Sequence, residues 1–371
     1  MGADPGVEKA AGTGKQDGDR ISRIRKRLQE EVPSISIERA LYFTESWRET
    51  DGRNLPASLR VACAMNRVFE RMSIYLDDDD RLAGSWTESF LGIPIDIERG
   101  LFNDVLAVEL SRRALIMHQV KSGRRFLGYM LAIHGLSGLV RSVRNAKRAG
   151  TRPPVLGLAT MELRERNRFH IDAGDRKILL HELLPYWRGK TVADRFARGL
   201  LSSGLVPAHV RDFIQALVST PSKQTTIISP AAVIGTYQGH LIPDFEPVLA
   251  RGLLAMRDEV IERIASSDAG DDETMSFLRS VKLALDGIIL FAQRLAGVVA
   301  DRAARTDDRT RRAGLEAMAA ICAKVPLEPA ESLDEAMQAY WTVKVATELA
   351  NPQNVHSPGR LDQLFHPYYL K

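Results

Sequence analysis

Cysteine is scarce in this chain of 371 residues, which carries only Cys63 and Cys322. Both stand in helical patterns with no CxxC and no His/Cys metal spacing, so neither a disulfide framework nor a zinc site is indicated, and a reduced cytoplasmic setting is expected. Long apolar runs are missing too. The longest, Phe126 to Val140, contains His134 and three glycines and falls short of the roughly 20 residues of a membrane span. The first 20 residues are rich in Gly, Asp and Lys without an apolar core. No secretory signal is expected here, and the stretch reads as a disordered lead-in over residues 1–20. There is no GxGxxG after a strand, no P-loop, no HExxH and no GxSxG elbow, so the common nucleotide, metalloprotease and hydrolase readings lose their main support. Lys and Arg number 51 against 47 Asp and Glu, a net charge of +4, too balanced to argue for nucleic acid as a partner.

What is present is helical periodicity. Apolar residues recur at three- and four-residue spacing in Ile37 to Trp47, Leu59 to Met72, Val192 to Leu201 and Val210 to Val218, and long helices are expected over Pro247 to Ser266 and Thr274 to Ala304. Ser36 is placed to cap a helix beginning at Ile37. Gly270-Asp271-Asp272 reads as a turn with acidic N-cap residues. Ser332 with Glu335 forms an S-x-x-E capping box ahead of Ala336 to Leu349. The fold class is therefore mainly α. Hydrophobic content of 44% is ample for a sizeable core.

One charge sign is absent locally. No acidic residue falls between Glu109 and Glu162, while Arg112, Arg113, Lys121, Arg124, Arg125, Arg141, Arg144, Lys147, Arg148 and Arg152 accumulate. We read a basic helical insertion at about residues 105–165. Without aromatic interleaving it does not resemble a single-strand nucleic-acid binder, and a solvated helical face accounts for it.

Five segments carry more specific information: Ser34-Ile35-Ser36-Ile37-Glu38-Arg39-Ala40 with Thr44-Glu45; Trp187-Arg188-Gly189-Lys190-Thr191; Gly239-His240-Leu241-Ile242-Pro243-Asp244-Phe245; Cys322-Ala323-Lys324-Val325-Pro326 with Pro329-Ala330; and Ser357-Pro358-Gly359-Arg360-Leu361-Asp362-Gln363. Each has a plain structural explanation. Trp187 to Thr191 reads as a helix end, a Gly turn and a Thr cap. Cys322, on an apolar face before a proline stop, reads as a buried structural thiol. His240 either bonds within its loop or faces a cavity, and Asp244 caps the following helix.

In this order and spacing the five segments resemble the glycyl radical enzymes, the pyruvate formate-lyase-like family, across nearly the whole chain from residue 21. The resemblance implies that residues 21–371 are the N-terminal helical part of that family's α/β barrel, truncated, with the first barrel strand near 353–365. It places Tyr237, His240, Asn354, His356 and Ser357 near substrate and gives Asp244, Arg360 and Asp362 to structure, the last two as a buried ion pair. It implies no cofactor in this fragment and a protein-based glycyl radical in the complete enzyme. A glycyl radical oxidises a cysteine on a central loop to the thiyl radical that attacks substrate. Neither a Gly-Cys loop nor an Arg-Val-x-Gly-Tyr loop occurs in these 371 residues, so the chain alone is expected to be inactive. The implied partners are a radical S-adenosylmethionine activating enzyme, a small-molecule substrate, a second copy in a homodimeric core and small subunits, with neither nucleic acid nor membrane.

Within the family, the stretch Gly84 to Gly100 and the basic insertion look most like the fumarate-adding benzylsuccinate and alkylsuccinate synthases. The alternatives are a lyase, dehydratase, decarboxylase or formate acetyltransferase-like enzyme of the same family, or a non-catalytic helical scaffold derived from it.

Overall fold

The computed structural model describes residues 5–100, 103, 106, 107, 110, 111, 168–202, 241–268, 270–352 and 356–371. The basic insertion expected at 105–165 and the periodic stretch Val210 to Val218 lie almost wholly outside them. The chain divides into one unit formed by residues 1–95 with 238–371 and another formed by 96–237.

Among the described residues the first unit is helical with one two-stranded sheet. Its elements are α1 (Pro5–Glu30), β1 (Ser34–Ser36), α2 (Glu38–Glu49), α3 (Ala57–Arg71) and β2 (Gly92–Pro94). After the second unit come α7 (Glu246–Ser266), α8 (Asp272–Ala304), α9 (Arg309–Lys324), α10 (Leu333–Ala350) and α11 (Leu361–Tyr369). β1 and β2 pair in parallel, Ser34 with Gly92 and Ser36 with Pro94.

Two expectations at the N-terminus are corrected. The lead-in expected to be disordered over 1–20 is helical from Pro5. Composition could not show that the later turns of this helix carry arginines matched to carboxylates far along the chain. Ser36 does not cap α2, because its backbone belongs to β1 and its hydroxyl donates to Glu88 at 2.6 Å; Ile37 precedes the helix with no side-chain cap.

The other caps form where the sequence places them. Asp271 accepts the Thr274 N–H at 3.0 Å ahead of α8. Ser332 accepts the Glu335 N–H at 3.3 Å. The Glu335 carboxylate accepts the Ser332 N–H in return and the Glu331 N–H as well, the latter at 2.7 Å, so the box closes as read and takes in one residue more. Lys324 holds the same carboxylate at 2.9 Å.

α8 is the centre of the packing. It lies along α3, α7 and α9. By length and composition it could cross a bilayer; here Phe291, Ala292, Leu295 and Val299 are buried in the core. Leu295, Val299 and Ala303 pack against Leu315, Met318 and Cys322 of α9. Cys322 is 1% exposed and burial pushes its thiol up to about 12, which makes it the structural thiol expected.

α7 is broken at Gly252, which adopts φ +75° and ψ 162°. The break lets the Leu253 and Leu254 N–H groups donate to the Pro326 and Leu327 carbonyls at 2.8 and 3.1 Å. The segment after α9 is thereby pinned against α7.

α10 ends on a buried guanidinium. Arg39, 1% exposed, donates to the carbonyls of Leu349 at 2.5 Å, Ala350 at 3.3 Å and Ile95 at 3.1 Å. These include two of the carbonyls a helix end leaves without intrahelical donors. Near its start, α10 grips the loop after α3. The Gln338 side-chain amide both accepts the Ala83 N–H and donates to the Ala83 carbonyl at 2.9 Å, and the Trp341 indole donates to the Gly84 carbonyl at 3.0 Å.

In the second unit, α4 (Ala173–Ile178) continues through a π turn over Leu179–Leu183 into α5 (Leu184–Trp187), and α6 (Val192–Ser202) follows. The corner between α5 and α6 is as expected: Lys190 N–H bonds the Trp187 carbonyl at 2.9 Å, and Thr191 accepts the Asp194 N–H at 3.0 Å.

Candidate functional site

Two of the five sequence segments meet in space. Leu241 pairs with His356 in a single parallel bridge, and the Ser357 N–H donates to the Leu241 carbonyl at 2.9 Å. Beyond the bridge, Pro358 offers no N–H to a ladder, and Gly359 turns the chain at φ +72° into α11. A side chain on Gly359 would bring its Cβ within 3.2 Å of Ile242 Cγ2. This corrects the expected strand at 353–365: among the described residues it is one bridge at His356 followed by a helix from Leu361.

His356 carries the chemical interest. Its Nδ1 is buried without a hydrogen-bond partner among the described residues. Burial pushes the imidazole below its ordinary value, nearby Glu348 pulls it up and Lys344 pushes it down. These two residues form an ion pair one turn apart on α10. The Lys344 ammonium lies 6.0 Å from the ring centre of Trp86, which packs edge-on against Trp341 with centroids 5.4 Å apart. The indole N–H of Trp86 is likewise buried without a partner among the described residues.

A folded-state value below the unfolded 6.5 means that His356 contributes stability above that pH. The contribution is lost as pH falls through the folded value. Between pH 7 and pH 5 the urea midpoint of the wild type is expected to fall further than that of His356→Gln. Equal falls in the two proteins would show that the imidazole is not held neutral.

The other candidates separate. Tyr237, His240 and Asn354 lie outside the described residues. Asp244 accepts the Glu246 N–H at 3.2 Å just ahead of α7, whose N-cap position is Phe245. Arg360 and Asp362 do pair, at 2.9 and 2.6 Å, but their side chains are 68% and 63% exposed. The expected buried pair is therefore a surface pair at the first turn of α11, and the guanidinium holds the Asp362 carboxyl down to about 2. A pair separated by one residue at the exposed start of a helix has no core to enter. Sequence reasoning missed Trp86, Trp341, Lys344 and Glu348. The i, i+4 spacing of Lys344 and Glu348 was a signal, while the approach of Trp86 depends on the Gln338 grip.

Comparison with known proteins fixes the family. The pyruvate formate lyase-like family model matches residues 13–101 and 148–371. The chain belongs to the pyruvate formate lyase-like family. An isethionate sulfite-lyase of Nitratidesulfovibrio vulgaris is 30% identical over 362 residues, covering 95% of this chain and 36% of the relative. A probable dehydratase of Escherichia coli, YbiW, is 27% identical over 95% of the chain and 36% of its own length. The solved structure described as 1,2-propanediol dehydration in Roseburia inulinivorans superposes with a TM-score of 0.69 at 25% identity, covering 95% of this chain and 36% of that one. The chain thus spans about a third of the length of the pyruvate formate lyase-like relatives it matches.

These relatives are lyases and dehydratases, which corrects the fumarate-adding branch expected from Gly84 to Gly100. That stretch has a structural explanation: Gly84 docks on Trp341, and Gly92 to Pro94 form β2.

Proposed function

We propose that this chain supplies the N-terminal wall of a glycyl radical lyase that eliminates a leaving group, sulfite or water, from a small hydroxylated substrate. The names of the relatives support the reaction class. The observation that carries the site is His356: a buried Nδ1 without a hydrogen-bond partner among the described residues, on an imidazole biased towards neutrality, adjacent to Ser357. A neutral imidazole offers one donor and one acceptor nitrogen. With the Ser357 hydroxyl it suits a substrate hydroxyl whose proton must be held while the neighbouring group departs. Neither cysteine fits the radical role, since Cys322 is buried inside α9 and Cys63 lies within α3. We assign that role, and the glycyl radical, to the part of the protein that corresponds to the remaining length of its relatives. A radical S-adenosylmethionine activating enzyme, a homodimeric core and a cytoplasmic setting belong to the same proposal.

The test is anaerobic activation of the full-length protein with its activating enzyme, then assay against isethionate, 1,2-propanediol, glycerol, and toluene with fumarate. Sulfite or aldehyde release is expected, falling at least about 100-fold in His356→Ala. A succinate adduct without elimination would sink the proposal.

A further inference from the structure

We infer that the N-terminal helix is a releasable arm, latched to the body by arginine–aspartate pairs that rising ionic strength opens. Arg20, Arg23 and Arg27 recur at helical spacing on α1. Arg20 donates to the Asp79 carbonyl at 3.0 Å, Arg23 pairs with the Asp79 carboxylate, and Arg27 pairs with Asp77. Arg27 also lies 4.0 Å above the ring of Phe90. Apolar cover is thin: Ile24 is half-buried, while Ile21 is 42% exposed and Leu28 53%. The arm is thus held through its charged face, with little apolar anchorage.

The platform beneath it is fixed independently. Arg311 of α9 donates to the Asp77 carbonyl at 3.0 Å, and the Asp77 N–H donates to the Asp80 carboxylate at 2.7 Å. Release of α1 therefore leaves the aspartate loop in place. A cleft of about 750 Å³ lined by Arg23, Arg27, Asp77, Asp78 and Arg305 runs along the pairs and gives solvent ions access to them. The Debye length falls from about 10 Å in 0.1 M salt to about 3 Å in 1 M, and the Arg23 side chain, 59% exposed, is the member of the latch most open to that screening. Once free, a helix of 26 residues containing Gly12, Gly14 and Gly18 is marginal in water and frays.

Amide hydrogen exchange on the whole chain tests this. Raising salt from about 0.05 M to about 1 M is expected to speed exchange of residues 18–31 at least about tenfold, with residues 275–300 of α8 unchanged. Arg23→Gln combined with Arg27→Gln, which alters the arm and not the platform, is expected to show the faster exchange already at low salt. Protection of 18–31 indifferent to both salt and the double replacement would overturn the proposal. So would loss of protection in α8 at the same salt concentration, since that reports global opening.

Discussion

Replacing Gly252 with alanine is expected to lower the free energy of unfolding by about 3–5 kcal/mol, or to prevent folding where total stability is small. Two causes add. The backbone sits at φ +75° and ψ 162°, a region that only glycine populates without strain. A Cβ there would also stand 2.7 Å from Glu328 Cα, in backbone that is fastened to α7 by two hydrogen bonds and cannot retreat. Gly297 on the exposed side of α8 is the matched control. Its Cβ would meet nothing within 4 Å, so Gly297→Ala should leave stability unchanged or raise it by up to about 1 kcal/mol. Denaturant titrations followed by circular dichroism measure both. A Gly252→Ala protein within about 1 kcal/mol of the wild type would mean that the break in α7 is dispensable.

The second large effect is expected at Arg39. Arg39→Met keeps much of the volume and removes the guanidinium, leaving the buried Leu349 and Ile95 carbonyls, and the partly exposed one of Ala350, without that donor. Hydrogen bonds from a charged donor contribute about 1.5–3 kcal/mol, and abandoned buried carbonyls add their desolvation, so a loss of about 3 kcal/mol or more is expected. Arg39→Lys carries a single donor head and cannot span three carbonyls, so it should recover only part of that loss. Full stability of Arg39→Met by the same titration would show that the end of α10 is satisfied by other groups. Because Asn351 follows α10 directly and His356 stands five residues later in the sequence, the two replacements should also loosen the His356 bridge, read as faster exchange of the Ser357 amide.

Local chemistry was legible in the sequence, and non-local chemistry was not. Asp271, Ser332 and Thr191 cap their helices as read, because a cap involves residues two or three apart and needs no partner elsewhere. Ser36 failed as a cap because its segment pairs with residues 92–94, a choice that periodicity cannot reveal. The exposed pair Arg360–Asp362 was read with the correct partners and the wrong surroundings, since spacing gives proximity and says nothing of burial. The family was legible from collinear segments, but the branch was not. The stretch used to assign the branch does scaffold work, docking on Trp341 and forming β2. The His356 environment lay midway: the segment was singled out, while the roles of Trp86, Lys344 and Glu348 around it depend on how α10 holds the loop after α3.

That hold sets a clock on biosynthesis. The Gln338 amide completes the hydrogen bonding of Ala83, which is fully buried, across 255 residues of chain. At 5–20 residues per second, roughly 10–50 s separate the emergence of the two partners from the ribosome. Throughout that interval the first ninety-five residues have been made without the helix that closes over them. Their apolar faces, Val68 and Phe69 among them, remain available to chaperones or to wrong partners until α8 and α10 arrive.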